Sequence, residues 1–163
     1  MPLSPDSLQR LRGMQETYED GLERSNPPPA NGTFVVLLRK LSNRTVPTTK
    51  GDTPVIDMGF RVVGDQVYAD YDFVHTIWGS NAMSCSQFST FATAFAGRPI
   101  TRVVEAYELL DSRVGNLFFN IQIGRNVSKQ GQEFVEIVAT GVVDDVPQQQ
   151  VVDDVPQQQQ DAA

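Results

Sequence analysis

The 163-residue sequence contains one cysteine, one histidine and one tryptophan. A single cysteine, Cys85, excludes an internal disulfide and a zinc site with several cysteine ligands, and because it opens an apolar helical segment we expect it to be buried. His75 has no cysteine or second histidine near it in the sequence, so we expect a structural residue rather than a metal ligand or a catalytic base.

Long apolar runs are also missing. No stretch of 18 apolar residues is present, so we expect no membrane span. The N-terminus has neither the basic segment nor the apolar run of a signal peptide. These features predict a cytoplasmic protein, located in the host cytoplasm if the source is viral.

The sequence contains no P-loop, no G-x-S-x-G, no H-E-x-x-H and no dinucleotide-binding glycine motif after a strand. Asp57, Asp70 and Asp72 are expected on neighbouring strands, but no histidine is expected to converge with them on a metal. We therefore predict a protein that is not an enzyme and has no cofactor and no metal site.

The net charge of −7 at first disfavours a polyanionic ligand, but the charge is unevenly distributed. Residues 143–163 contain five aspartates and no basic residue, and residues 1–29 carry a net charge of −2. Residues 30–142 contain ten basic and ten acidic side chains and are neutral. The low isoelectric point therefore comes from the two ends and does not exclude a nucleic-acid ligand.

The C-terminal segment contains an internal repeat, because Val-Asp-Asp-Val-Pro-Gln-Gln-Gln occurs at 143–150 and again at 152–159. The segment has seven glutamines and no aromatic residue, so it cannot bury enough apolar surface to fold. We predict that 143–163 is a disordered, acidic, glutamine-rich tail.

At the other end, residues 5–24 have apolar positions at roughly helical spacing, and Ser4 or Asp6 is a suitable N-cap. Three consecutive prolines at 27–29 stop this helix and form a stiff linker. The chain thus divides into an N-terminal helix and proline-rich linker (1–30), a folded domain (31–142) and the tail (143–163).

Within 31–142 the pattern predicts three strands, a helix and two further strands. The helix covers 84–96 and ends at Gly97, and a polar stretch at 105–112 has a possible helical turn of its own. The strands are predicted at 33–41, 54–63, 66–77, 117–123 and 133–142, with a long loop at 42–53. This order is typical of a mainly β, five-stranded OB-like Greek-key barrel with one helix between strands three and four. Other small β-barrels and half-sandwiches also fit.

Three aromatic residues are candidates for base stacking. Phe118 shares a strand face with asparagine and glutamine, so it is either exposed or covered by a loop, the N-terminal helix or a partner. Tyr68 and Trp78 share the face of strand three that also carries acids, which favours an outward position. The alternative for Trp78 is a place in the core at the rim of the barrel.

Basic residues cluster in the first and fourth loops and their flanks, which border the ligand face of an OB barrel. Such a pattern fits a groove that follows phosphates, although solvated surface charge explains any single member. The full set of predicted nucleic-acid-binding residues is Arg39, Lys40, Arg44, Lys50, Arg61, Tyr68, Trp78, Phe118, Arg125 and Lys129.

Several segments resemble bacteriophage single-stranded-DNA-binding proteins across residues 31–142. They are Gly32-Thr-Phe-Val-Val, Lys50-Gly-Asp-Thr-Pro-Val-Ile, Met58-Gly-Phe-Arg-Val-Val, the helix from Met83 to Gly97, and Gly131-Gln-Glu-Phe-Val. The resemblance implies an OB-fold that coats replication or recombination intermediates and an acidic tail that docks replication or recombination proteins. The sequence departs from the commonest tail pattern by ending in Asp161-Ala-Ala rather than an aromatic residue.

The leading hypothesis is sequence-independent binding of single-stranded DNA in phage-type replication or recombination, with a tail that competes with DNA or docks partners. The runner-up is a β-rich viral structural or protein-interaction module with no nucleic-acid role. In that case Phe118 and the N-terminal helix would form an interface between copies in a homo-oligomer.

Overall fold

A computed structural model describes residues 3–144, so the predicted tail beyond residue 144 lies outside the described part of the chain. The described residues form five strands and four helices. In chain order these are α1 (Pro5–Gly13), α2 (Gln15–Ser25), β1 (Gly32–Thr48), β2 (Gly51–Val63), β3 (Asp72–Trp78), α3 (Ala82–Ala96), α4 (Val103–Asp111), β4 (Leu117–Val127) and β5 (Glu133–Val142).

The strands form one antiparallel sheet in the order β3-β2-β1-β4-β5. Strands β1 to β3 follow one another as neighbours, and β4 returns over a long helical connection to lie beside β1, which is a Greek-key arrangement. The prediction of a mainly β, five-stranded fold is confirmed. The sheet is open, because β3 and β5 are its two edges and do not pair with each other.

Helix α3 covers the core side of the sheet. The Phe91 ring stacks on Phe60 of β2 at 5.3 Å and meets Phe119 of β4 edge-on at 5.0 Å. The same helix caps the edge of β5, where Gln87 Oε1 accepts a hydrogen bond from Ile137 N at 3.0 Å and Thr90 Oγ1 accepts one from Ala139 N at 2.9 Å. These side chains satisfy backbone groups that an exposed edge leaves unpaired.

The predicted bounds of this helix are nearly right, because α3 ends at Ala96 and Gly97 has a φ of 73° that suits a glycine C-cap. At its other end Gly79 is required, since a Cβ there would lie 2.6 Å from the Pro54 carbonyl oxygen. Cys85, which we expected to be buried, is exposed on the first turn of the helix.

Two helical predictions need correction. The single N-terminal helix is two helices, α1 and α2, because the helix begun at the Ser4 N-cap ends at Gly13, a poor helix former. The connection between β3 and β4 contains a second helix, α4, rather than one helix alone. Its buried Ala106 and Leu110 are four residues apart, the helical spacing that the polar residues around them obscure.

The predicted loop at 42–53 is wrong, because β1 and β2 continue as a hairpin to Thr48 and Gly51. Strand β4 pairs with β1 only as far as Leu38, and β3 pairs with β2 only from Val55. The distal end of the hairpin is therefore a two-stranded ribbon beyond the body of the sheet. Apart from Thr53, which is buried, most of its residues are exposed, which fits its polar sequence.

The third strand begins at Asp72 rather than at residue 66. Asp65 accepts backbone hydrogen bonds from Val67 and Tyr68, and Asp70 has a φ of 56°, so the chain turns before it becomes extended. Among residues 3–144, no helix is long and apolar enough to cross a membrane.

Candidate nucleic-acid interface

The face of the sheet opposite the core, called the outer face here, holds most of the predicted binding residues. Met58 and Phe60 of β2 are buried in the core, so the alternating Asp57, Gly59 and Arg61 lie on the outer face, as predicted. The register of β1 shifts at Arg39, between the pairs Leu38–Phe60 and Lys40–Gly59. This irregularity brings both Arg39 and Lys40 to the outer face.

One row of outer-face side chains joins a cation to the tryptophan. Arg44 of β1 pairs with Val55 of β2, which pairs with Trp78 of β3. The Cα atoms of Arg44 and Trp78 are therefore roughly 10 Å apart, because the backbones of neighbouring strands are separated by about 4.8 Å. The Trp78 side chain is 40% exposed, so the outward position predicted for it is observed.

A second row crosses the other end of the face. Arg61 of β2 pairs with Leu37 of β1, which pairs with Phe118 of β4. Phe118 and Leu37 are half-buried, while Asn120 and Gln122 farther along β4 are exposed. This row thus offers a partly covered apolar surface beside a guanidinium.

Asp57 lies between the two rows and is a buried anion surrounded by donors. Arg24 Nη2 and Arg44 Nε donate to its Oδ2 at 2.8 and 2.7 Å, and Thr76 Oγ1 donates to its Oδ1 at 2.8 Å. Burial alone would raise the pKa of Asp57, but the hydrogen bonds from these three residues outweigh it and lower the pKa to about 2. The carboxylate is therefore charged at neutral pH and holds two arginines in place.

Asp72 is a second anchor for cations on the outer face. Arg61 donates to its two carboxylate oxygens at 2.8 and 3.0 Å, and Arg39 Nη1 lies 3.2 Å from Oδ2. Two of the three aspartates considered as metal ligands, Asp57 and Asp72, thus contact arginines. Among the described residues, no group of three or more histidine, cysteine or acidic side chains is placed to hold a metal ion.

Helix α2 lies across the outer face, a position that the sequence did not predict. Arg24 reaches Asp57, and the next residues continue the contact, since Asn26 Nδ2 donates to the Asp72 carbonyl oxygen at 2.7 Å. Gly59, between these two contacts on β2, is buried. A ligand that crosses both rows must therefore pass over α2 or displace it.

The remaining predicted residues lie elsewhere. The Tyr68 hydroxyl accepts from Ala30 N at 3.0 Å and its ring packs against Phe34, so it stabilises the linker rather than the outer face. Arg125 also holds the linker, donating to Asn31 Oδ1 at 2.6 Å and to the carbonyls of two prolines. Exposed Lys50 and Lys129 lie in the β1–β2 and β4–β5 turns, at opposite ends of the sheet.

His75 is the buried titratable group of the core side. Burial lowers its pKa to about 4, and a hydrogen bond with Gln87 opposes this shift. Among the described residues, its Nε2 is a buried side-chain atom with no hydrogen-bond partner. The structural role predicted for His75 agrees with this environment.

This burial predicts a pH-dependent stability. Since the pKa in the folded protein is below its usual value of 6.5, the unfolded chain binds the proton first and stability falls as the pH drops from 6.5 towards 4. We expect a loss of about 2 kcal/mol between pH 7 and pH 5, measured by urea unfolding. His75→Leu should show a nearly flat profile over this range, and an equal loss in both proteins would contradict the assignment.

Comparison of the sequence with protein-family models gives no match, and comparison with curated proteins also gives none. The functional interpretation therefore depends on the arrangement of side chains described above.

Proposed function

We propose that the protein binds single-stranded DNA without sequence preference, on the outer face of β1, β2 and β3, in phage-type replication or recombination. The observation that carries the proposal is the row formed by Arg44 of β1 and exposed Trp78 of β3, which are joined across Val55 of β2. Stacking of a base on an aromatic ring next to a cation that neutralises phosphate is the usual mode of sequence-independent single-strand binding.

The ribbon at the end of the β1–β2 hairpin extends this row. Arg44 lies at its base and exposed Lys50 at its tip. A DNA strand with a base stacked on Trp78 could run past Arg44 to the ribbon. This path lies on the side of Asp57 that faces away from Asp72. This path avoids the contact between Asn26 and Asp72.

The strand order supports the finer proposal of an OB-like fold. A five-stranded sheet with this Greek-key order is able to curl towards a barrel. Helix α3 contacts both edge strands, β3 through Ser84 and β5 through Gln87 and Thr90. OB-folds bind their ligands on the face of strands two and three and on the adjoining loops. Trp78 and the ribbon occupy those positions here.

Titration of the full chain with poly-dT tests the function directly. Because Trp78 is the single tryptophan, quenching of its fluorescence on binding is expected, with an affinity that weakens as salt rises. Duplex DNA should compete poorly, since its bases cannot stack on the ring. Absence of binding at low salt, with or without residues 143–163, would refute the proposal.

The substitution Trp78→Ala should lower the affinity for a fluorescein-labelled dT oligonucleotide by roughly 5- to 150-fold, which corresponds to a stacking contribution of about 1–3 kcal/mol per base. The measurement is fluorescence anisotropy at fixed low salt. Phe95→Ala on the core side of the sheet is the matched aromatic control and should leave the affinity unchanged. Equal affinities for Trp78→Ala and the unmodified protein would place the binding site elsewhere.

The alternative function is a protein-interaction or viral structural module. The observation that favours it is the exposure of apolar side chains on α1, including Leu8 and Leu11. A large closed assembly that is indifferent to DNA in size-exclusion chromatography with light scattering would support this alternative over DNA binding.

A further inference from the structure

The N-terminal arm, defined as α1 and the first turn of α2, carries an unusual apolar surface. No residue of α1 is buried, and Leu8 and Leu11 lie three residues apart on one side of it. Met14 and Tyr18 follow with 57% and 61% of their side chains exposed. Several exposed apolar side chains at this spacing on otherwise polar helices are typical of a contact with another protein.

A matching surface lies along α4. An open groove of about 510 Å³ runs between α4 and the core side of the β1–β2 hairpin. Its apolar lining includes Ile56 and Tyr107, together with Val103 and Val104, which are 63% and 66% exposed. We call this surface the α4 groove.

The end of α2, from which the arm extends, and the α4 groove lie on opposite faces of β2. Arg24 at the end of α2 is bonded to Asp57 on the outer face. Ile56, the residue before it, faces the other way and lines the groove. The point at which the arm joins the sheet is therefore on the face opposite its own groove, which favours a contact between two copies.

The charges of helix α1, the part of the arm that carries Leu8 and Leu11, and of the α4 groove are complementary. Helix α1 carries Arg10 and Arg12 in its last turn against one acid, Asp6. The α4 groove is bordered by the exposed acids Glu108 and Asp111, and α4 itself contains no basic residue. An arm that enters the groove brings its guanidinium groups to these carboxylates.

We propose that the N-terminal arm of one copy binds in the α4 groove of a second copy. The contact is head-to-tail, because the donor and acceptor surfaces are different parts of the same chain. Each copy in such an assembly keeps one free arm or one free groove at its end, so further copies can add. The proposal does not depend on DNA binding and is tested without DNA.

The experiment uses two full-length variants, one for each surface. Leu8→Asp with Leu11→Asp disables the arm, and Val104→Asp disables the groove. All three positions are at least 36% exposed, so folding should be retained, and an aspartate near the start of α4 suits the helix dipole. Val127→Asp, on β4 and also 66% exposed, is the control outside both surfaces.

Sedimentation equilibrium should show that the unmodified protein and Val127→Asp associate as concentration rises, more weakly at high salt. Each surface variant alone should associate at least tenfold more weakly, because large apolar contacts are lost. An equimolar mixture of the two should form a heterodimer and nothing larger, since only one intact arm and one intact groove remain for each pair.

Three results would overturn the proposal. The first is a monomeric unmodified protein at all concentrations. The second is a mixture that stays monomeric, and the third is unweakened association of Val104→Asp, which would mean that the arm binds another surface.

Discussion

The substitution Asp57→Ala should reduce the free energy of unfolding by about 3 kcal/mol, because removal of one partner from a buried ion pair leaves the other charges unpaired. The Asp57 side chain is 4% exposed, whereas those of Arg24 and Arg44 are 31% and 44% exposed. Water therefore reaches both guanidinium groups and keeps the loss near the lower end of the usual range for buried pairs. Urea unfolding at pH 7 measures it.

The same variant should release α2 from the outer face, because the contact between Arg24 and Asp57 fastens the end of this helix to the sheet. Trypsin should then cleave after Arg24 faster than in the unmodified protein. Asp52→Ala, at an exposed position on the same strand, is the control and should change stability by less than about 0.5 kcal/mol. Equal stability of the two variants would show that the Asp57 network contributes nothing net.

The pH dependence provides an independent test of the network. The pKa of Asp57 is lowered to about 2 from its usual value of 3.8. The contribution of its ion pairs to the free energy of unfolding is therefore nearly complete above pH 4 and is lost as the pH falls towards 2. The loss over this range should be about 2 kcal/mol in the unmodified protein and should be missing in Asp57→Ala. This range lies below the one in which His75 acts, so the two effects are separable.

Two elements that pack on the core, β5 and α3, were predictable from the sequence. Strand β5 has the predicted bounds, and α3 differs from its prediction only by two residues at its start, because apolar periodicity records burial. The ribbon of the β1–β2 hairpin was missed for the same reason. Most of its residues are exposed, so they carry no apolar alternation although the backbone is paired.

The site was predictable in part. The outward position of Trp78 and the two faces of β2 followed from alternation along single strands. The ion pairs of Asp57 and Asp72 did not, since Asp57 joins Arg24 of α2 to Arg44 of β1 over 33 and 13 residues of sequence. No local pattern reports such a contact, and it makes Arg44, which the sequence predicted as a phosphate ligand, a member of a charge network as well.

The largest stability effect is expected for Phe91→Ala. The Phe91 side chain is fully buried and contacts Phe60 and Phe119. It therefore joins α3 to β2 and β4, the strands on either side of β1. Truncation removes its transfer free energy and leaves a cavity, with a cost of about 4 kcal/mol. Thermal and urea unfolding measure the change.

Because α3 also caps the edge of β5 through Gln87 and Thr90, loss of the Phe91 contact should loosen that edge as well. Hydrogen exchange at the amides of Ile137 and Ala139 should rise more than at the central pairs of β1 and β4. If Phe91→Ala does not fold, Phe91→Leu preserves most of the volume and should cost about 1.5 kcal/mol with the same pattern of exchange. Phe95→Ala is the control, because Phe95 is on the same helix but is only half-buried, with the Arg113 guanidinium over its ring. A cost for Phe91→Ala no larger than for Phe95→Ala would show that α3 does not hold the open sheet together.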